Sequence, residues 1–246
     1  MIIKKRILKI IELLLSPSAL MALIYWPKFS VTSFTMVSAL TKQRVFPKTV
    51  IDVGANVGQF AIAAAKLFPD AQVHSFEPLP EAVTLLKKHV RKFKNIAVYP
   101  LALGDNDGEI AFHVNADSRS SSILPLADAH RTAFSHAQEI NTIPVKISTL
   151  DKVFNAMILE SPVLLKLDVQ GYEAVTLRGG RETLKRVDYV ILETSFKPMY
   201  EGEMLFMDIV RLMEEYKFSF MRPVGWLSDP NTGEILQMDA LFGRQP

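Results

Sequence analysis

The chain has no cysteine, and it is not enriched in glycine or proline. Without thiols, the sequence excludes disulfides, thiolate metal sites and a cysteine nucleophile. Glycine (11) and proline (14) are at ordinary levels for 246 residues, and 49% of the residues are hydrophobic, which excludes collagen-like, low-complexity and disordered classes. The sequence therefore predicts a globular protein of one large domain or two small ones.

The net charge is also close to zero, since the chain has 28 Lys and Arg and 26 Asp and Glu, which gives a formal charge of +2. A protein so close to neutrality does not bind nucleic acid or anionic membranes through bulk electrostatics, although a local patch can still do so. We expect its partners to be recognised at a defined site, and we expect no nucleic acid among them.

Long hydrophobic runs are limited to the N-terminus, where residues 7–26 are mostly apolar and follow Lys4, Lys5 and Arg6. The charge-free part, residues 13–26, is shorter than the roughly 20 residues that a membrane-spanning helix needs. Ser16 followed by Pro17 predicts a helix start, hence two short helices joined there. These helices either pack on the following domain or lie in a membrane interface; a signal peptide is disfavoured because no small-x-small cleavage site follows.

Short β-branched or apolar runs alternate with helical stretches from residue 47 onward. We predict strands at residues 49–53, 72–76, 96–101, 163–167 and 189–192, with helices at residues 59–68, 80–92, 173–177 and 181–186. This alternation predicts an α/β fold with a doubly wound, Rossmann-like parallel sheet. A TIM barrel fits the length, but eight strand and helix pairs are not found.

Three further regions complete the predicted organisation. Residues 1–46 form an N-terminal helical extension, and residues 47–246 form one domain. Residues 105–150 read as an irregular insertion suited to a substrate loop. Two strand-like runs around DPNTG, residues 217–222 and 235–242, predict a C-terminal antiparallel hairpin.

The first candidate site is the turn DVGANVG, which follows a predicted strand and opens a helix. Gly54 and Gly58 let the backbone approach a ligand, but their spacing lacks the middle glycine of a nicotinamide fingerprint. Asp52 would repel phosphates and attract an ammonium or sulfonium group, while Glu77, at the next strand end, can accept two ribose hydroxyls. Together these residues predict binding of S-adenosyl-L-methionine.

Six segments in order resemble the FkbM family of S-adenosylmethionine-dependent methyltransferases over about residues 48–243. They are IDVGANVGQF from Ile51, FEP from Phe76, LALGDNDG from Leu101, SSI from Ser121, VKISTLD from Val145 and LLKLDVQGYE from Leu164. The resemblance implies a class I methyltransferase fold and action on a hydroxyl of a sugar, polyketide or lipid-linked small-molecule acceptor.

The resemblance also implies residue roles. It assigns cofactor contacts to Asp52, Gly54, Asn56, Gly58, Glu77, Ala102 and Leu103. It puts Asp168 opposite the transferred methyl group and has Ser121 and Ser122 orient cofactor or acceptor. Gln170 departs from the family pattern, which commonly has an acid there.

Methyl transfer to a hydroxyl needs a base, because an aliphatic hydroxyl is too weak an acid to ionise first. Asp168 and Glu173 are the candidates, although Glu173 could equally cap a helix. Glu193, after another strand, is a weaker candidate for the base or for acceptor binding. Asp168 and Glu193 could supply two carboxylate ligands to Mg²⁺, but the sequence shows no further ligands, so we expect no metal.

Five further polar residues have no motif around them. His130 and His136 have no zinc-ligand spacing; they are interpreted as solvated loop histidines, with a role as a base as the alternative. Arg119, Arg131 and Lys197 could contact an acidic or phosphorylated acceptor, or they could be ordinary surface residues.

Two other functions fit the same scaffold. A nucleic-acid methyltransferase is disfavoured by the absent D/N-P-P-Y/F signature, and a non-catalytic membrane-associated protein would not need Asp52, Glu77 and Asp168. We expect a cytoplasmic enzyme, with the N-terminal helices as its route to peripheral contact with the inner membrane face.

Overall fold

A seven-stranded sheet forms the centre of the computed structural model, which describes residues 17–134 and 138–245. The strands of the protein are β1 (Thr49–Val53), β2 (Gln72–Phe76), β3 (Ile96–Tyr99), β4 (Ala102–Gly104), β5 (Gly108–Asn115), β6 (Glu139–Thr149), β7 (Val163–Leu167), β8 (Tyr189–Ser195), β9 (Phe218–Ser228) and β10 (Ile235–Arg244). The central order is β3-β2-β1-β7-β8-β10-β9. Within the described sheet, β10 alone runs in the direction opposite to the other strands and pairs antiparallel with β8 and β9, so the predicted parallel sheet and C-terminal hairpin are confirmed.

Helices lie on both faces of this sheet. They are α1 (Pro17–Tyr25), α2 (Val31–Lys42), α3 (Gln59–Leu67), α4 (Pro80–Val90), α5 (Asp128–Ala133), α6 (Leu150–Phe154), α7 (Glu173–Arg178), α8 (Arg181–Leu184) and α9 (Phe206–Glu215). None of the helices in the described ranges is long and apolar enough to span a membrane. Pro17 is the first residue of α1, as the sequence predicts, while Ser16 and the preceding predicted helix lie outside the described residues.

The two-sided packing follows from central strands that are buried on both faces and mostly apolar. All five residues of β1 and of β7 are buried. Ile51 and Val53 face a core shared with α7, α8 and α9, whereas Val50 faces a core shared with α2 and α3. Full burial of such aliphatic side chains stabilises the fold by about 1.5 to 3 kcal/mol each, so both faces need a helical layer.

The described part of the N-terminal extension joins this core. Met36, Val37 and Leu40 of α2 pack in the same cluster as Val50 and Phe60. Ser30 caps α2 by accepting a hydrogen bond from the Ser33 backbone N–H at 3.3 Å. Packing is therefore continuous across residue 47, where the sequence predicts a domain boundary.

The predicted irregular insertion is wrong for much of its length. Strands β5 and β6 pair antiparallel, and β6 also pairs with β4, which gives a second, three-stranded sheet. The alternating apolar residues of β5 were not recognised as a strand, because an Asp-Gly turn starts it and polar residues alternate with them. The predicted strand at residues 96–101 ends two residues earlier, as β3, because the chain crosses at Pro100 and Leu101 to the second sheet, where β4 begins at Ala102.

Candidate functional site

A cavity of about 600 Å³ opens at the carboxyl ends of β1, β2 and β7. This is the switch point of the sheet, where successive strands lie on opposite sides of β1 and their following turns diverge. Its walls come from the β1 turn, β4, the segment 117–121, the start of α2 and the β9–β10 hairpin. A cavity of this size accommodates a cofactor and a small acceptor together.

The glycine-turn side of the cavity, which we define as Gly54, Asn56, Glu77, Ala102 and Leu103, is held largely by backbone groups. Gly54 has φ +78°, and a Cβ there would lie 1.9 Å from the Asp168 carbonyl oxygen, so only glycine lets the β1 and β7 turns meet. The carboxylate of Glu77 accepts the N–H groups of Asn56 at 2.8 Å and of Leu79 at 2.9 Å. Ala102 and Leu103 supply an apolar wall.

Glu77 lines the cavity but is almost fully enclosed. Burial raises the pKa of its carboxyl to about 7, against the two backbone N–H groups that lower it. Its oxygens retain acceptor capacity beyond those two bonds. Glu77 can therefore receive a pair of hydroxyl groups while its own orientation stays fixed.

Asp52 lies behind the cavity wall rather than on it. It is fully buried opposite Lys166 in the β1–β7 register, and Lys166 Nζ lies 3.6 Å from Asp52 Oδ1 and 3.1 Å from Asp168 Oδ2. Burial raises the pKa of Asp52 to about 6, opposed by Lys166. Burial lowers the pKa of Lys166, but Asp168 and Asp52 outweigh it and the net pKa is raised. This position favours an indirect role for Asp52, through Lys166, over direct contact with a cationic ligand.

The carboxylate side of the cavity, which we define as Asp168, Gln170, Glu193, Gln237 and Asp239, is held by side chains. Gln170 Nε2 donates to Asp168 Oδ1 at 2.6 Å and to Glu193 Oε2 at 2.8 Å. Gln237 Nε2 donates to Glu193 Oε2 at 3.1 Å. Asp239 is the register partner of Glu193 across β10 and β8.

Gln170 is fixed from three directions. Its Oε1 accepts a hydrogen bond from the Tyr200 hydroxyl at 2.5 Å, and its backbone carbonyl accepts one from Ser122 Oγ at 2.6 Å. Its φ of +56° is rare for a residue with a side chain. An amide that both donates and accepts therefore occupies the position where the family pattern commonly has an acid.

Burial controls the charge of the neighbouring acids. Burial, together with the charges of Asp168 and Asp239, raises the pKa of Glu193 well above its usual value. The pKa of Asp239 rises to about 6, mainly by burial and also by Asp168, although Lys166 lowers it. Glu193 thus keeps its proton to a higher pH than an ordinary glutamate, while Asp239 is largely ionised above pH 6.

Eight of the predicted site residues line the cavity and four do not. Those on the wall are Gly54, Asn56, Glu77, Ala102, Leu103, Ser121, Asp168 and Glu193; those off it are Asp52, Gly58, Ser122 and Glu173. Gly58 begins α3 with φ +96°. Glu173 is buried and accepts the Val169 N–H at 2.9 Å, which favours the capping alternative over a direct catalytic role.

The polar residues outside the motifs have mixed positions. His130 is 5% exposed and lines the cavity, so its prediction as a solvated loop residue is wrong. His136 lies outside the described residues. Arg119 pairs with Asp117 at the cavity wall, whereas Arg131 and Lys197 pair with surface acids away from it.

Several wall residues were missed by the sequence interpretation. Gln237, Asp239 and Trp226 lie outside the recognised motifs, and the pairing of β8 with β10 brings the first two to Glu193. Lys166 lies within the segment LLKLDVQGYE but was given no role there. Lys166 offered one signal, because a lysine between leucines in a fully buried strand requires a buried partner.

The sequence of this chain matches one protein family over most of its length. Residues 52–220 match the model of the methyltransferase FkbM domain. The chain belongs to the FkbM methyltransferase family. The match begins at Asp52 and ends within β9, so it includes the glycine turn and the segment from Asp168 to Glu173.

Two relatives of the family are similar to this chain at low identity. The 2-O-methyltransferase NoeI of Sinorhizobium fredii is 28% identical over 72% of this chain and 75% of its own length. The hexuronic acid methyltransferase AglP of Haloferax volcanii is 27% identical over 68% of this chain and 62% of its own length.

The fold has a counterpart among solved structures. A crystal structure from Galdieria sulphuraria, reported as a sarcosine dimethylglycine methyltransferase, aligns with a TM-score of 0.51 at 9% identity and covers 87% of this chain and 85% of that one. At this identity the likeness supports the class I methyltransferase fold alone.

Proposed function

We propose that this FkbM methyltransferase transfers a methyl group from S-adenosyl-L-methionine to a hydroxyl of a sugar, polyketide or lipid-linked small-molecule acceptor. The observation that carries the proposal is the position of the Asp168 carboxylate, which is 34% exposed and lines the cavity beside the glycine turn. This carboxylate is accessible from the cavity, and Lys166 and Gln170 hold it in a fixed orientation. The names of the two relatives, which specify a 2-O-methyltransferase and a hexuronic acid methyltransferase, agree with an oxygen acceptor on a sugar.

The glycine-turn side suits the donor. Gly54, which has no side chain, leaves room for the amino-acid tail of the donor. The acceptor oxygens of Glu77 match its ribose hydroxyls, and the apolar wall of Ala102 and Leu103 matches its adenine. When bound, the donor supplies a methyl group on a sulfonium, whose sulfur leaves as a neutral thioether. Asp52 acts indirectly, because its ion pair with Lys166 positions that side chain.

The carboxylate side suits proton transfer from the acceptor. As the new O–C bond forms and the S–C bond breaks, the hydroxyl proton passes to Asp168. Lys166 and Gln170 hold the two oxygens of Asp168 in a fixed direction, which supplies the alignment that an in-line displacement needs. Glu173 is a positioning residue, since its carboxylate fixes the Val169 N–H next to Asp168.

The donor assignment is tested by thermal shift with S-adenosylhomocysteine, S-adenosylmethionine and NAD. At about 100 times its dissociation constant a ligand adds roughly 2.7 kcal/mol, which moves the melting temperature by several degrees. We expect shifts with the two adenosyl ligands and none with NAD. A folded sample with no adenosyl shift would favour the non-catalytic alternative.

The base assignment is tested with Asp168→Asn, assayed for S-adenosylhomocysteine formation on a panel of methyl glycosides. We expect turnover to fall by about 10² to 10⁴, because a positioned base contributes that much, while the adenosyl shift persists. Asp107→Asn is a matched control, since Asp107 pairs with Lys152 and does not line the cavity. Equal turnover of the two variants would remove Asp168 from the mechanism.

A peripheral membrane contact through α1 is part of the proposal. Met21, Leu23, Ile24 and Tyr25 are 53–67% exposed on this helix. Because α2 belongs to the core, truncation before residue 45 would damage the fold, so point substitutions are the appropriate test. We expect the full chain to co-sediment with anionic liposomes and Leu23→Gln/Ile24→Gln to lose binding, while Ile158→Gln, at an 89% exposed isoleucine elsewhere, retains it. Equal partitioning of all three proteins would contradict the contact.

A further inference from the structure

Helix α4 contacts two of the features that we assign to the methyl donor. It begins just after Glu77, whose Oε1 accepts the backbone N–H of Leu79, the N-cap residue of this helix, at 2.9 Å. Its second half packs on the glycine turn, because a Cβ on Gly58 would lie 2.6 Å from the Leu86 side chain and 3.5 Å from that of Val90. One helix therefore touches both the acid assigned to the ribose and the turn assigned to the amino-acid tail.

The glycine turn has a backbone conformation that must be held by its surroundings. Gly54, Asn56 and Gly58 have φ values of +78°, +47° and +96°, and this region is rare for a residue with a side chain such as Asn56. The N–H groups of the turn are held from the end of β2. The Phe76 carbonyl accepts that of Gly54 at 3.0 Å, and the Glu77 carboxylate accepts that of Asn56 at 2.8 Å. The orientation of the turn then also depends on what holds its carbonyl groups.

A side chain of α4 holds one of these carbonyl groups. His89 Nδ1 lies 2.8 Å from the Val57 carbonyl oxygen, although the two residues are 32 positions apart in the chain. A carbonyl oxygen only accepts hydrogen bonds, so Nδ1 carries the hydrogen and donates it. Among the described residues, His89 is the side chain that donates to a carbonyl of residues 54–58. Because Val57 lies between Asn56 and Gly58, loss of this bond would release the part of the turn where φ is positive.

We propose that His89 is a positioning residue for the methyl donor, and that it acts by holding the Val57 carbonyl and thereby the glycine turn. His89 is not part of the described cavity wall, so it acts through the backbone and not by touching the ligand. The inference rests on the proposed function, in which this turn binds S-adenosyl-L-methionine. A turn that is already ordered loses less conformational freedom on binding, which raises affinity. A half-buried histidine outside the six family segments thus contributes to donor affinity.

Three substitutions at His89 separate the donated hydrogen bond from the shape of the side chain. The amide nitrogen of Asn is bonded to Cγ, as Nδ1 of His is, so His89→Asn can still donate, whereas His89→Asp has the same shape and only accepts. His89→Leu removes the donor without adding charge. Calorimetry with S-adenosylhomocysteine is done at pH 8, where Glu77 is largely ionised. We expect His89→Asp and His89→Leu to bind about three- to tenfold more weakly than the wild type, and His89→Asn to stay within about twofold.

Two controls separate donor positioning from the general stability of α4. Lys88→Leu, at the exposed neighbouring residue, should bind like the wild type. Val83→Ala removes buried methyl groups earlier in the same helix, so it should lower the urea midpoint but leave the affinity within about twofold.

Three results would each overturn the inference: wild-type affinity in both His89→Asp and His89→Leu, equal losses in His89→Asn and His89→Asp, or as large a loss in Val83→Ala as in His89→Leu. A folded wild type that does not bind S-adenosylhomocysteine would instead contradict the donor assignment on which the inference depends. The two failures are therefore distinguishable.

Discussion

The two sides of the cavity are stabilised by different kinds of interaction. On the glycine-turn side, backbone N–H groups fix Glu77, and the absence of a side chain at Gly54 sets the approach of two turns. On the carboxylate side, amide and ammonium side chains from separate strands and loops fix Asp168 and Glu193. The first arrangement is robust to changes in nearby side chains, whereas the second depends on the protonation and identity of each member.

Lys166 connects the two sides, so its removal has the largest expected effect. Lys166→Met would leave the fully buried carboxylate of Asp52 without its cation, and Asp52 has no hydrogen-bond partner among the described residues. Breaking a buried pair in this way costs about 3 to 5 kcal/mol of unfolding free energy. Urea unfolding at pH 7.5 measures the loss.

A double variant distinguishes lost pairing from lost packing. In Lys166→Met/Asp52→Asn the uncompensated charge is gone, so we expect the combined loss to be smaller than the sum of the single losses by about 1 kcal/mol or more. Additive losses would mean that Lys166 stabilises the fold through Asp168, 3.1 Å away, or through its contact with the Phe60 ring, 5.3 Å away, rather than through Asp52.

Gln170→Glu is the sharpest change that can be made to the carboxylate side alone. It replaces two donated hydrogen bonds with a third acid between Asp168 and Glu193, and loss of buried hydrogen bonds costs about 1 to 3 kcal/mol. The pKa of the new carboxyl should be raised by its neighbours in the folded state. The native state then holds more protons than the unfolded one, so the loss should be small at pH 5 and grow as pH rises.

Gln237→Glu makes the same chemical change next to Glu193 without touching Asp168. We expect it to lower stability at high pH as well, but to leave turnover nearer the wild-type value than Gln170→Glu does. Equal turnover losses would show that Gln170 acts only through Glu193. Thermal unfolding from pH 5 to pH 8 and S-adenosylhomocysteine formation provide the two measurements.

The same contrast explains how far the sequence predicted the molecule. The sheet, the hairpin and the placement of Gly54 and Glu77 at strand ends followed from β-branched runs and turn residues, because those signals are local in the chain. Asn56, Ala102 and Leu103 came instead from the family resemblance. The second sheet was missed, since Asp-Gly turns and polar faces obscured β5. Asp239 and Trp226 were missed because the antiparallel pairing of β10 with β8 and β9, which no local pattern specifies, brings them to the cavity.

The smallest predicted effect concerns pH on the glycine-turn side. The pKa of Glu77 is about 7, and its ionised form is the stronger acceptor for ribose hydroxyls, so affinity for S-adenosylhomocysteine should be lost as pH falls through 7. We expect a rise of up to about tenfold, equivalent to about 1.4 kcal/mol, between pH 6 and pH 8 by calorimetry. Glu77→Gln should bind more weakly and show no such rise, whereas Glu81→Gln, at an exposed acid in the first turn of α4, should follow the wild type. A pH dependence that survives in Glu77→Gln would assign the titration to the carboxylate side, and the backbone-held half of the cavity would then be insensitive to pH.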